Sequence, residues 1–137
     1  MKVLFVAGFG PIVSEQQASE AFYVGTLGLA FERDGEYLHT EKLSGVKTFA
    51  LWTLSQAAES CFGTKTWSQT IPAPHAWLEF DVEDLQAATT ELKEKGYTLL
   101  VEARIEPWGQ IVTRLLSPEG ILVGITYTPW LRDNPKS

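Results

Sequence analysis

The chain has 137 residues and a mass of 15.2 kDa, with 45% hydrophobic and 20% charged residues, the composition of a globular domain able to bury one core. Its formal net charge of -6, with only 11 scattered basic residues, disfavours nucleic acid and acidic lipid surfaces as partners, because phosphate binding draws on clustered Lys and Arg. The single cysteine, Cys61, leaves no intrachain disulfide and fits a reducing compartment.

The apolar opening Val3–Val13 is interrupted by Gly8, Gly10 and Pro11 and has no clear small-residue cleavage site behind it, so it reads as a first strand rather than a signal peptide. No apolar run approaches the ~20 residues that span a bilayer. The expected setting is the cytoplasm, with no membrane partner.

Ser14 followed three residues later by Gln17 is a capping-box pattern. It predicts a helix with Ala18, Ala21, Phe22 and Gly25 on one stripe, stopped by Gly25 and Gly28. A second helix is predicted from Asp84 through Leu85, Ala88 and Leu92, with Lys93 and Lys95 in its last turn and Gly96 beyond. Strands are predicted at Val3–Ala7, Leu29–Arg33, Glu36–Leu43, Val46–Leu54, His75–Val82, Tyr97–Ala103, Gln110–Leu116 and Ile121–Tyr127. Turn signals such as Asp34-Gly35, Ser44-Gly45 and Ser117-Pro118-Glu119-Gly120 bound them. Strand, helix and three strands therefore occur twice, and Gly28 answers to Gly96. The expected fold is α+β, two βαβββ modules (residues 1–54 and 75–128) in a pseudo-twofold arrangement within one domain, their curved mixed sheets forming a concave groove with helices outside. Ser55–Pro74 reads as an irregular linker, longer than most connections in compact domains. The tail Pro129–Ser137 reads as an exposed end.

The residues also resemble a known family. Ala21-Phe22-Tyr23-Val24-Gly25-Thr26-Leu27-Gly28-Leu29 is similar to a helix end of the vicinal oxygen chelate superfamily, which includes glyoxalase I, extradiol dioxygenases and bleomycin-resistance proteins. Phe80-Asp81-Val82-Glu83-Asp84-Leu85, Gly96-Tyr97, Pro107-Trp108-Gly109 and Ser117-Pro118-Glu119-Gly120-Ile121-Leu122 resemble its second module in order and spacing. The resemblance covers nearly the whole chain and implies the paired βαβββ fold. Function stays open at this level, since the superfamily hosts both metal enzymes and metal-free binders.

The resemblance implies that metal ligands, where present, come from the first and last strands of each module. Met1–Ser14 contains no His, Asp, Glu, Gln or Cys, and Val46–Leu54 contains none either. Gly124 stands where the family's Glu would be, and Trp77 where its His would be. His75 and Glu79 fall on the same side of the strand as Trp77, because side chains alternate with period two. They supply at most two ligands where a transition metal needs three or more. Only a combination of His39, His75 and Glu79 remains, so no metal and no cofactor are expected.

The chain has five tryptophans, and Trp52, Trp67, Trp77 and Trp108 fall on strands and loops expected to border the groove. Indole faces stack on planar ligands or cations; filling the core or a dimer interface is the alternative. Glu79, Glu102 and Arg114 lie within predicted strands, where an inward charge needs a partner or a wet cavity. Glu102 and Arg104 share one strand face in this reading, as solvated edge residues or a cross-strand ladder. No nucleophile elbow, Cys/His pair or dinucleotide-binding glycine pattern occurs, so no catalytic residue is assigned.

The predicted ligand-binding set is Trp77, Glu79, His75, Trp108, Trp52, Trp67 and Arg114. The expected function is that of a metal-independent binder resembling the bleomycin-resistance branch, a homodimer that sequesters an aromatic or cationic compound, with antibiotics among the candidates. Glu79 would select a cation. The alternative is a lyase, isomerase or dioxygenase of the same superfamily, with an atypical metal site or with Glu79 or His75 as general base.

Overall fold

The computed structural model describes residues 1–132. In chain order the elements are β1 (Val3–Val13), α1 (Gln16–Glu20), β2 (Glu32–Asp34), β3 (Tyr37–Thr40), β4 (Phe49–Thr53), α2 (Leu54–Phe62), β5 (Ala76–Val82), α3 (Leu85–Glu94), β6 (Val101–Ile105), β7 (Ile111–Leu116) and β8 (Leu122–Tyr127), with a 3-10 turn at Pro129–Leu131. The expected exposed tail is in part this turn; its last five positions, 133–137, lie outside the described residues.

The eight strands form one sheet in the order β2-β3-β4-β1-β5-β8-β7-β6. β1 pairs antiparallel with β5 at its centre, and on either side β1 and β5 pair in parallel with β4 and β8. The two halves therefore repeat one topology about the β1/β5 seam. This is the mixed, curved α+β architecture that the duplicated element order predicts.

β1 runs six residues further than its apolar alternation indicates, through Gly8, Gly10 and Pro11. The glycines are there for space. A Cβ on Gly10 would overlap the Ala50 carbonyl oxygen and lie 2.9 Å from Trp77 Nε1, and one on Gly8 would lie 2.9 Å from Trp77 Cη2. The backbone of β1 thus forms a trough for the Trp77 indole.

α3 starts as its sequence indicates, with the Asp84 carboxylate accepting from Ala87 N at 3.0 Å. Its buried Leu85 and Ala88 join Val82, Leu115 and Ile125 in a cluster on the convex face. α1 does not follow the same plan. No side chain caps it, and after Glu20 it widens into a π-helical turn, Ala21–Thr26, in which Leu27 N donates to Phe22 O. The wider turn breaks the 3.6-residue stripe. Ala18, Ala21, Phe22 and Gly25 are exposed, and Tyr23 instead packs toward Val13, Leu38 and Leu51.

The segment 55–74 is not irregular throughout. Thr53 and Gln56 form a reciprocal capping box, and Gly63 closes α2 in the left-handed region at φ 75°. Ala57, Ala58 and Cys61 of α2 pack with Trp67 against Trp77, Val112 and Leu122. That cluster fills one end of the concave face and gives the remaining cavity a wall. Burial pushes the Cys61 thiol pKa up, which favours the inert thiol.

A bulge in β6 overturns the shared face expected for Glu102 and Arg104. Ala103 takes φ 43° where the β6/β7 register shifts, and its N–H donates to Thr113 Oγ1 at 2.9 Å. Glu102 turns to Lys93 on α3, 2.9 Å away, whereas Arg104 turns to the concave side and donates to the Ser60 carbonyl at the end of α2.

Candidate functional site

The concave face beside α2 encloses a cavity of about 720 Å³, within the range of small-molecule sites. Its floor is an ion pair. Arg114 Nη1 donates to Glu79 Oε2 at 3.1 Å, with the arginine side chain 2% and the glutamate 13% exposed. The pair is made by the sheet itself, since Glu79 sits opposite Gly124 on β8 and Gly124 sits opposite Arg114 on β7. A Cβ on Gly124 would come 2.9 Å from Glu79 Cγ, so the absent side chain is what lets the two charges meet across an intervening strand.

The polar bonding continues toward the rim. Gln110 Nε2 donates to Glu79 Oε1 at 3.0 Å and to Thr128 Oγ1 at 2.9 Å, and its Oε1 accepts from Trp108 Nε1 at 3.1 Å. Both oxygens of Glu79 and both amide hydrogens of Gln110 are therefore engaged. The exposed Trp108 indole is held in place by its own N–H. On the opposite wall the Trp52 ring lies under the Arg114 guanidinium, 4.8 Å from centroid to Cζ, and Tyr37 stacks on His39 at 5.0 Å. Burial, then the charge of Glu79, raises the Tyr37 pKa, which keeps its phenol a hydrogen-bond donor.

Trp130 completes the rim from the C-terminal turn. Asp81, wholly buried, accepts from Thr128 N and Arg132 Nε at 2.9 Å each and from the Thr126 hydroxyl, which fixes that turn to β5 and β8. Three more carboxylates, Asp34, Glu41 and Glu59, line the exposed mouth and make no ion pair among the described residues. Glu106 is buried against Arg104 at 3.2 Å. The lining thus carries five carboxylates against two guanidiniums, both of them already paired.

Of the residues selected from sequence, Trp52, Trp77, Glu79, Trp108 and Arg114 line this one cavity. Two do not. His75 lies one residue before β5, its carbonyl accepting from Ile12 N at 2.9 Å, but its side chain is exposed and outside the cavity lining, so it does not join Glu79 or His39. Trp67 is 8% exposed, edge-on to Phe62, with its N–H bound to the Ile71 carbonyl beneath α2. It is a core residue.

Trp77 faces inward yet is only 4% exposed, with its N–H donating to the Ala50 carbonyl at 3.1 Å, so it is floor and core at once. Sequence reasoning did not select Tyr37, Gln110, Glu106 or Trp130. For Gln110 a signal existed, since it directly follows the Pro-Trp-Gly turn and opens a strand toward the groove.

The donor set does not fit a divalent metal. Gly8 and Gly124 stand on the strands that would supply ligands, Trp77 fills the space over Gly8, and Glu79 is tied to Arg114 and Gln110. Among the described residues, no three His, Cys, Asp or Glu side chains cluster closely enough to hold a metal ion.

A curved eight-stranded sheet formed by two βαβββ halves around an internal seam defines the class. The chain belongs to the Glyoxalase/Bleomycin resistance protein/Dioxygenase superfamily, whose family model matches residues 9–125. A superfamily member from Vibrio splendidus 12B01 is similar in fold, with a TM-score of 0.56 at 18% identity over 90% of this chain and 97% of that one. Methylmalonyl-CoA epimerase from Mycobacterium tuberculosis gives 0.58 at 20% identity, over 94% and 91%. A single-residue variant of the Streptomyces coelicolor epimerase, in complex with 2-nitronate-propionyl-CoA, gives 0.55 at 16%, over 97% and 100%. No curated protein sequence matches the chain. No helix among the described residues is long and apolar enough to cross a membrane.

Proposed function

We propose that this chain is a metal-independent small-molecule binding protein, closest in character to the bleomycin-resistance branch, whose cavity takes a planar aromatic cation. It would act in the cytoplasm as one domain with halves 1–54 and 75–128, sequestering its ligand, and antibiotics are among the compounds of suitable chemistry. The observation that carries the reading is the lining: indole rings at Trp52, Trp108 and Trp130 together with Asp34, Glu41 and Glu59 at the mouth, which make no ion pair among the described residues. Ring faces and nearby carboxylates both attract cations. Glu79 is not the selecting charge, because Arg114 already neutralises it; the selection moves to the mouth. General-base chemistry at Glu79 is disfavoured for the same reason, since both its oxygens accept hydrogen bonds.

N-Methylquinolinium and neutral quinoline at pH 8 have nearly the same shape and separate charge from stacking. The cation is expected to quench tryptophan emission and to bind at least tenfold tighter. Trp108→Ala should weaken it by ~1–3 kcal/mol with little change in melting temperature, because that ring is 55% exposed. Equal binding of the two probes, or none of either, would refute the reading.

A homodimer is part of the proposal. Val3, Val6 and Phe9 on β1, and Phe22 and Leu27 after α1, are 42–53% exposed, apolar surface that a second copy would cover. Sedimentation at micromolar concentration should give about twice the 15.2 kDa chain mass; a stable monomer there would count against it.

A further inference from the structure

Among the described residues, Arg114 carries the one buried side-chain nitrogen or oxygen without a hydrogen-bond partner. Its side chain is 2% exposed, yet its one hydrogen bond among the described residues runs from Nη1 to Glu79 Oε2, and Nε is buried without an acceptor. A guanidinium offers five N–H donors in a rigid fork, and leaving buried donors unmatched is costly. Arg114 also lines the cavity, with its flat face against Trp52. The neighbouring acceptors do not reach it: Glu79 Oε1 accepts from Gln110, Glu79 Oε2 from Arg114 Nη1 and Gln110 Oε1 from Trp108, and none of them bonds Nε.

We infer that Arg114 is the ligand-anchoring residue at the bottom of the cavity, and that the ligand enters with a carbonyl-type oxygen directed at the guanidinium edge that Glu79 leaves free. This rests on the aromatic-cation reading above and adds a second, opposite requirement at the buried end. Tyr37 borders the same space and offers its hydroxyl as a further donor. The oxygen is neutral. A ligand carboxylate would have to share one guanidinium with Glu79 inside a lining that already holds five carboxylates, whereas an amide or ketone oxygen accepts the same hydrogen bond without that repulsion. The ligand class is therefore a planar cation bearing an amide or ketone acceptor, with the acceptor end buried and the cationic ring toward the tryptophans and the acidic mouth.

Three probes separate this from the simpler reading: N-methylquinolinium, its 3-carboxamide and its 3-carboxylate, titrated calorimetrically into the full chain. The carboxamide is expected to bind at least tenfold tighter than the parent cation, a difference of ~1.4 kcal/mol, and the carboxylate no tighter than the parent. In Arg114→Lys, and in the charge-balanced double variant Glu79→Gln/Arg114→Met, the preference for carboxamide over parent should fall to within about twofold, with circular dichroism verifying the fold. The double variant covers the case in which Arg114→Lys fails to fold. Equal affinity of carboxamide and parent for the unaltered protein, tighter binding of the carboxylate, or a preference that survives both substitutions would overturn the role of Arg114 and leave the aromatic-cation reading standing. Absence of binding by the parent and both derivatives would overturn both.

Discussion

Trp77→Ala is expected to cost about 3–5 kcal/mol of stability, in the range for deleting a buried aromatic ring, and to lower the melting temperature by roughly 10–15 °C. The indole lies in a trough formed by Gly8 and Gly10, edge-on to Trp52 at 6.4 Å, and its N–H holds the Ala50 carbonyl. Removing it empties the seam between the two halves and leaves a buried carbonyl without its side-chain donor. A ligand anchor that is mostly solvent-covered would behave differently, losing affinity while the fold stayed intact. Being inward and being core are not alternatives here, because α2 and Trp67 pack over the concave face where Trp77 turns inward. Thermal denaturation decides the matter. A shift of only a degree or two would place the ring outside the core.

The second large effect is expected at Glu79→Gln. The substitution keeps the shape, yet Arg114 would remain buried with its charge uncompensated. Whichever way the new amide turned, its NH₂ group would face either Arg114 Nη1 or the NH₂ of Gln110. Breaking a wholly buried pair costs ~3–5 kcal/mol; since Glu79 keeps 13% of its side-chain surface, about 2–4 kcal/mol is expected. Glu79→Gln/Arg114→Met should recover most of that loss, as coupled charges do in a double-mutant cycle. Chemical denaturation of the two single variants and the double one measures it. An additive cycle would mean that the ion pair contributes nothing to the folded state.

Sequence patterns reached most strands because each is bounded by local chemistry: Gly35, Gly45 and Gly120 at positive φ in turns, and Asp84 and Gly96 at the ends of α3. They did not reach α2, although Thr53, Gln56 and Gly63 carry its start and stop signals. The length of the 55–74 interval argued for a loop more strongly than those few residues argued for a helix. They also misplaced the buried face of α1, since a π-helical turn changes the period on which a stripe is read.

The site divides along the same line. The sequence by itself determined which strand positions lack metal-ligating side chains, which residues of β5 share a face, and that indoles and charged groups occur on groove-bordering segments. Each follows from composition or from alternation along one strand. Only the tertiary structure decided what those side chains meet. It set Glu79 against Arg114 across Gly124, turned Arg104 inward through the left-handed Ala103, left His75 outside and drew Trp67 under α2. The physical reason is that period two fixes a face but not a neighbour: which charge compensates which, and which indole is covered, depends on sheet order, bulges and curvature, which are set by pairings between residues far apart in the chain.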